Sequence, residues 1–480
     1  MILHRFLFLK LDAMRNWILI IFSFLLAQLP LAAQVTLPAF FSDNMILQQK
    51  STVQIWGSAP ADSRVQLTTS WNKRSYKAKA GPNGKWRIHI ATPIAGGPFT
   101  ISIQQKNKIV LNNVLIGEVW LCSGQSNMDM PVKGYLNSPI LGANDLLLNA
   151  RNSQIRLFRI GKNTSAVPVP DVKGDWAEAD VSTVNEFSAV GYQFAKYLQS
   201  HLGVPVGIIQ STWGGSPIEA WMDKAAFDEG LKEGLAGNKA ISKAVHQTPS
   251  NLFNGMIAPI TGYGIKGVLW YQGEQNRHNY ASYLTLQSAM VKSWRKHWGR
   301  GDWPFYYVQI APMHYAESQS SMIPRLREVQ LEAMDHIPES GMAVSIDAGE
   351  ERNIHPANKT IISKRLVYWA LANAYGKSGI AFRGPEYESM KISSDTVEVQ
   401  FKNTPLGMST FGKKLTQFEL SGADKKFYPA EATIKGRKVI VVSKDVKKPV
   451  ALRYAFKDWA IGELYNVEGL PASSFRTDNW

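Results

Sequence analysis

The chain has 480 residues and a formal charge of +15, from 53 Lys and Arg against 38 Asp and Glu. That length exceeds one compact core, so two or three domains are expected. Ordinary apolar content argues against disorder, and basic residues dispersed away from aromatic clusters argue against nucleic acid as a partner while allowing anionic substrates.

Residues 1–33 read as a signal peptide. His4, Arg5, Lys10 and Arg15 precede or open the apolar run NWILIIFSFLLAQLPLAAQ, and Ala32 and Ala33 supply small residues for cleavage near Ala33. Met14 is an alternative start. A retained anchor is the competing reading, but the stretch is short for a membrane span and contains Gln28 and Pro30. Cleavage removes three Lys/Arg and one Asp, which leaves +13. The expected mature protein is exported, periplasmic or secreted, with no stable membrane insertion. Cys122 is the single cysteine and cannot form an internal disulfide, which suits a bacterial periplasm or exterior. At a strand end it reads as a small buried apolar residue.

Residues 34–112 predict an N-terminal β-sandwich. The segments STVQIWGSA, SRVQLTTSW, GKWRIHIATP and FTISIQQKN alternate apolar and polar side chains between Gly, Pro and Asn. From 113 to 377 short apolar strands alternate with helical stretches, the pattern of an α/β unit with a parallel sheet covered on both faces. The expected strands are Val114–Leu121, Gln154–Ile160, Val204–Gln210, Ile265–Tyr271, Phe305–Ile310 and Gly341–Ile346, with helices over Ala189–Leu202, Tyr280–His297 and Pro356–Tyr375. Residues 378–480 return to β patterning, as in DTVEVQFKN and GRKVIVVSKD.

Four of the expected strands run into polar, glycine-containing segments: SGQSNM, STWGGSPIEAW, YQGEQN and DAGEERNIHPANK. In a parallel sheet all four carboxyl ends lie along one edge, where open α/β folds bind ligands. This gathers Ser126, Gly214, Gly215, Asn276 and His355. A serine hydroxyl needs a base before it attacks, and an imidazole titrates near neutrality. Attack on an ester creates an oxyanion, for which the Ser126 N–H, the Gly214 or Gly215 N–H and the Asn276 amide are candidate donors. Each residue alone reads more simply as a turn, loop or cap residue. Their joint placement carries the reading. The G-x-S-x-G elbow is absent, and no metal motif of the HExxH type or Cys/His cluster appears, so no cofactor is expected.

The order Ser, Gly, Asn, His resembles the SGNH hydrolases. Within them, LPAFFSDNMILQQ, IGEVWLCSGQSNMDMPV, WGGSPIEAWM, NGMIAPITGYGIKGVLWYQGEQN and IHPANK resemble the sialate O-acetylesterase family, from about residue 37 to the C-terminal tail. The resemblance implies a flavodoxin-like SGNH hydrolase core with N-terminal and C-terminal accessory β regions, removing acetyl groups from sugar hydroxyls. It implies Ser126 as nucleophile, His355 as base, and the Gly214–Gly215 turn and Asn276 as oxyanion donors. The pattern departs at the acid: the positions three and two before the histidine are Arg352 and Asn353. Asp347, Glu350 or a backbone carbonyl are the candidates to orient His355. Asp347 is preferred because it closes a strand facing the site.

Gln125, Glu274, Arg327 and Trp213 are candidate substrate contacts, with loop bracing as the alternative for the first two and a surface ion pair for Arg327. Trp221 and Tyr271 could stack on a sugar, with core packing as the alternative. The expected partner is an O-acetylated sugar, sialic acid first and acetylated xylan or another glycan second. A noncatalytic glycan-binding protein on a decayed hydrolase core and a broad esterase or lipase are the competing classes.

Overall fold

A computed structural model describes residues 34–232, 244–315 and 322–480. The leader expected at 1–33 lies outside the described residues. Among those residues no helix is long and apolar enough to cross a membrane.

The central layer is a sheet of seven strands: β1 (Lys108–Gly124), β2 (Asn152–Arg159), β3 (Trp176–Ala179), β4 (Val206–Thr212), β5 (Gly267–Tyr271), β6 (Phe305–Val308) and β7 (Ser340–Ala343). Their spatial order is β7-β6-β5-β1-β4-β2-β3. Every neighbouring pair is parallel except β2 with β3, an antiparallel edge that the sequence reading did not draw. The register aligns the strand ends that matter. Ser123 lies opposite Ser211 and Trp270, and Gly124 opposite Thr212 and Tyr271.

Alternation along β1 builds two cores. Val119 and Leu121 point into a layer with Ile209, Val268, Trp270 and Trp294. Trp120 and Cys122 point into the other, with Ile208, Leu269, Phe194, Tyr306 and Leu366. Cys122 is fully buried, and burial pushes its thiol far above the ordinary range. The covering helices include α2 (Ala189–Leu202), α3 (Tyr280–Trp298), α4 (Met322–His336) and α5 (Lys359–Trp369). The Ser188 hydroxyl caps α2 by accepting from Gly191 N–H, and Gly203 ends it in the left-handed region. Helix α5 starts three residues later than Pro356, because Asn358 caps it at Ile361 N–H while Glu350 takes the Ala357 N–H.

Strand β1 is longer than expected, with 17 residues. Its first part pairs antiparallel with Gly96–Gln104, and its last seven residues pair in parallel with β4. Burial alternates up to Asn113 and is continuous from Val114 onward. That is the change expected when a strand passes from a sheet with one wet face into one covered on both. The strand therefore runs unbroken through positions 112 and 113. Beyond α5, two four-stranded antiparallel sheets enclose a third core that includes Val399, Val441, Leu452 and Tyr454. Ile346, just past β7, belongs to this core, and the Gly462 N–H donates to its carbonyl at 3.1 Å.

Candidate active site

The Ser126 turn forms where β1, β4 and β5 end together. Gly124 has φ +132°, and a Cβ there would lie 2.2 Å from the Tyr271 carbonyl oxygen, so glycine is required for β1 to leave the sheet this close to β5. The Gln125 N–H donates to the Tyr271 carbonyl, and the Trp213 N–H to the Gly124 carbonyl, each at 3.0 Å. Ser126 then opens the single-turn helix α1 (Ser126–Asp129 in chain position, preceding α2). It is partly exposed, whereas Asn127, Met128 and Asp129 are buried. Gly214 comes against it: a Cβ at Gly214 would meet the Ser126 Cβ at 3.3 Å. Glycine thus keeps the space beside the hydroxyl open.

His355 approaches from the loop after β7. The Asn127 side chain joins the two loops by donating from Nδ2 to the Ile354 carbonyl at 2.9 Å. Tyr135 joins them again. Its ring meets the His355 ring edge to face, centroids 5.3 Å apart, while its hydroxyl donates at 3.3 Å to the Ser126 carbonyl. The histidine loop is braced internally: His355 N–H donates to Asn353 Oδ1 at 3.0 Å, and Asn353 Nδ2 donates to Glu350 Oε2 at 3.0 Å.

Among the described residues, no hydrogen bond reaches the His355 ring nitrogens and no carboxylate pairs with them. Asp347, the acid preferred from the sequence, is engaged by Arg365 and not by His355. Its two oxygens are both taken by Arg365, at 2.7 Å each, in a buried bidentate pair. Arg365 lies 18 residues on, in α5, and the fork of a guanidinium captures a carboxylate more fully than an imidazole can. Glu350 also leaves the ring alone, because its oxygens hold the backbone of Ala357 and the side chain of Asn353.

Asn276 is buried and firmly oriented. Its Oδ1 accepts from Ile218 N–H at 2.9 Å and Gln272 Nε2 at 2.7 Å, and its Nδ2 donates to Glu219 Oε2 at 2.8 Å. A primary amide has a second N–H, which remains for another acceptor.

Three of the four candidate substrate contacts have other work. Gln125 is buried, and its Oε1 accepts from the Gly273 and Gln275 N–H groups at 3.3 Å each, tying the serine turn to the asparagine loop. Glu274 is buried and accepts from Asn127 Nδ2 at 2.6 Å. Arg327 is neither at the site nor on the surface. It is fully buried on the inner face of α4 and donates to Ser474 Oγ and to the Ala455 and Lys457 carbonyls, fastening the C-terminal region. Trp213 remains half-exposed beside Gly214, stacked on His246 with 5.2 Å between centroids. Trp221 and Tyr271 are core residues.

The sequence reading missed Asn127, Asp129, Tyr135 and Lys359. Asp129 is a buried hub that accepts from Thr212 Oγ1 at 2.5 Å and Lys162 Nζ at 2.9 Å. Lys359 is buried and donates from Nζ to Asn127 Oδ1 at 2.5 Å. The signal was present: Asn127 and Asp129 alternate with Met128 and Met130 after Ser126, and a lysine closes IHPANK.

Burial sets the electrostatics. It pushes the Lys359 ammonium down to about 7, against the pull of Glu274 and Glu350. It raises the Glu274 carboxyl. The His355 imidazole is lowered to about 4, first by burial and then by the Lys359 charge. At neutral pH the ring is therefore unprotonated and able to accept a proton.

The carboxyl edge of the sheet thus carries the Ser126 turn, the His355 loop joined to it through Asn127 and Tyr135, and the oriented Asn276 amide, an arrangement with the parts an α/β esterase needs. A family model described as carbohydrate esterase, sialic acid-specific acetylesterase, matches residues 116–367. The chain belongs to that family, and it is an esterase acting on acetylated sugars. It is 33% identical to a carbohydrate acetylesterase from Xanthomonas citri, with TM-score 0.85 over 93% of this chain and 100% of that one. It is 28% identical to sialate O-acetylesterase of Rattus norvegicus, over 72% of this chain and 75% of the relative. For the Homo sapiens sialate O-acetylesterase the identity is 27%, over 88% of this chain and 87% of the relative.

Proposed function

We propose that the chain is an exported serine O-acetylesterase in which Ser126 and His355 act as a dyad on O-acetylated sialic acid. The observation that supports this most is the Asn127 side chain, which ties the serine turn directly to the backbone beside His355. His355 takes the Ser126 hydroxyl proton as the oxygen attacks the acetyl carbon. The carbonyl π pair moves to oxygen, where the Ser126 N–H, the glycine turn and the free Asn276 N–H receive it. Collapse expels the sugar oxygen, which takes the proton back from His355, and leaves acetyl on Ser126. Water, deprotonated by the same ring, then releases acetate and restores the hydroxyl. Export rests on the basic, apolar and small-residue order of 1–33.

Acetate release from a chromogenic acetyl ester tests the chemistry. Ser126→Ala is expected to lower kcat by roughly 10⁴-fold or more while the protein stays folded. Full activity in that variant removes the mechanism. A second sugar class, acetylated xylan or another glycan, is supported by the likeness to the carbohydrate acetylesterase of Xanthomonas citri. Turnover of O-acetylated sialic acid against acetylated xylan separates the two, and equal or lower turnover of the former removes the sialate reading. Finding the chain, leader intact, in the cytoplasmic fraction of a bacterial host would remove the export reading.

A further inference from the structure

The site has an unusual charge pattern. Where a serine–histidine site commonly sets a carboxylate against the imidazole, this one places an ammonium nearby. Lys359 is 1% exposed, and its Nζ holds Asn127 Oδ1. The same Asn127 donates to the Ile354 carbonyl and to Glu274 Oε1. One amide thus joins the serine turn, the histidine loop, the asparagine loop and the first turn of α5. Lys359 anchors it on the only oxygen the amide has.

We propose that Lys359 is a positioning residue for the ester hydrolysis. Through Asn127 it locks the Ser126 turn against the histidine loop, and its buried ammonium opposes a second positive charge on His355. The inference rests on the dyad reading given above.

The groups around His355 favour this role. Tyr135 packs on its ring and donates from its hydroxyl to Asp129, whose carboxylate is already paired with Lys162. Glu350, in the same loop, has both oxygens occupied by Asn353 and Ala357. Glu351 and Arg352 face solvent, where their charges are screened. Glu274 lies behind Asn127, with Arg277 beside it, and burial drives its carboxyl toward the neutral form. Tyr271 contributes a ring face to Lys359, with Nζ 5.7 Å from its centroid. The other charges around His355 are thus paired or screened, and Lys359, four residues on and held to the Ile354 carbonyl through Asn127, is the buried cation left beside the histidine loop. An imidazole so placed stays available as a base in acid, at the cost of a less stable imidazolium during the reaction.

The test is Lys359→Gln, which keeps a donor for Asn127 and removes the charge. The pH dependence of kcat/KM on a chromogenic acetyl ester and the NMR titration of the His355 ring are read together, the resonance being assigned by its loss in His355→Gln. Both midpoints are expected to rise by about one pH unit, so that activity below them falls about tenfold while the neutral-pH rate changes less. An unchanged ring midpoint overturns the proposal, as does a uniform loss of activity with no shift of the limb. If the single variant does not fold, Lys359→Gln with Glu274→Gln replaces both ends of the Asn127 bridge with neutral amides, and the same shift is required. Retained turnover in Ser126→Ala would sink the dyad reading instead, and the ring titration would still report on Lys359.

Discussion

Helix α5 carries two buried cations, and they are used in opposite ways. Arg365 meets Asp347 directly through two short hydrogen bonds. Among the described residues Lys359 meets no carboxylate directly: Asn127 stands between it and Glu274. The first arrangement neutralises charge locally and fastens the loop after β7 to the helix. The second leaves a buried ammonium tied to the histidine loop through one amide. A guanidinium–carboxylate fork serves rigidity, while an amide bridge keeps three loops together and still lets the charge act on a neighbour.

Breaking the direct pair should have the largest effect on stability. Asp347→Ala leaves Arg365 buried without its partner and is expected to cost about 3–5 kcal/mol in denaturant unfolding. The fraction that remains folded should keep its acid limb of kcat/KM unchanged, because Asp347 does not touch His355. A shifted limb would show that the two clusters are not separate.

The His355 ring gives an intermediate effect that depends on pH. Its folded-state affinity for protons is depressed, from 6.5 to about 4. The unfolded chain therefore binds the extra proton first as pH falls, and the stability contributed by the neutral ring is present above about 6.5 and lost progressively down to about 4. His355→Gln should remove that slope. Parallel unfolding series for the wild type and the variant between these pH values should converge toward the acid end, and a constant difference would contradict the lowered affinity.

Glu274→Gln should have the smallest effect. It keeps an acceptor for Asn127 Nδ2, and burial already favours the neutral carboxyl. A stability change of about 1 kcal/mol or less is expected in the same unfolding assay. A loss as large as that of Asp347→Ala would mean that Glu274 and Lys359 behave as a direct ion pair.

The strands and their carboxyl edge were legible in the sequence because apolar runs broken by SGQSNM, WGGS, YQGEQN and IHPANK carry a local signal. The continuity of β1 through 112 and 113 was not, since the shift from alternating to continuous burial looks like a change of domain. Nor was the fate of the charges. Asp347 was placed at the right strand end, but nothing in its neighbourhood shows that Arg365 would take both its oxygens. Asn127 and Lys359 lie 232 residues apart, and each alone reads as an ordinary polar residue. Arg327 shows the same limit, because its partners come from a C-terminal region about 130 residues further on.

The most direct measurement is mass spectrometry of the enzyme quenched in acid during turnover of a chromogenic acetyl ester. One acetyl group on the peptide containing Ser126 is expected, absent from Ser126→Ala and strongly reduced in His355→Gln. Steady turnover with no acetyl group on that peptide, or equal labelling without the imidazole, would show that the hydroxyl and the ring do not work as a pair.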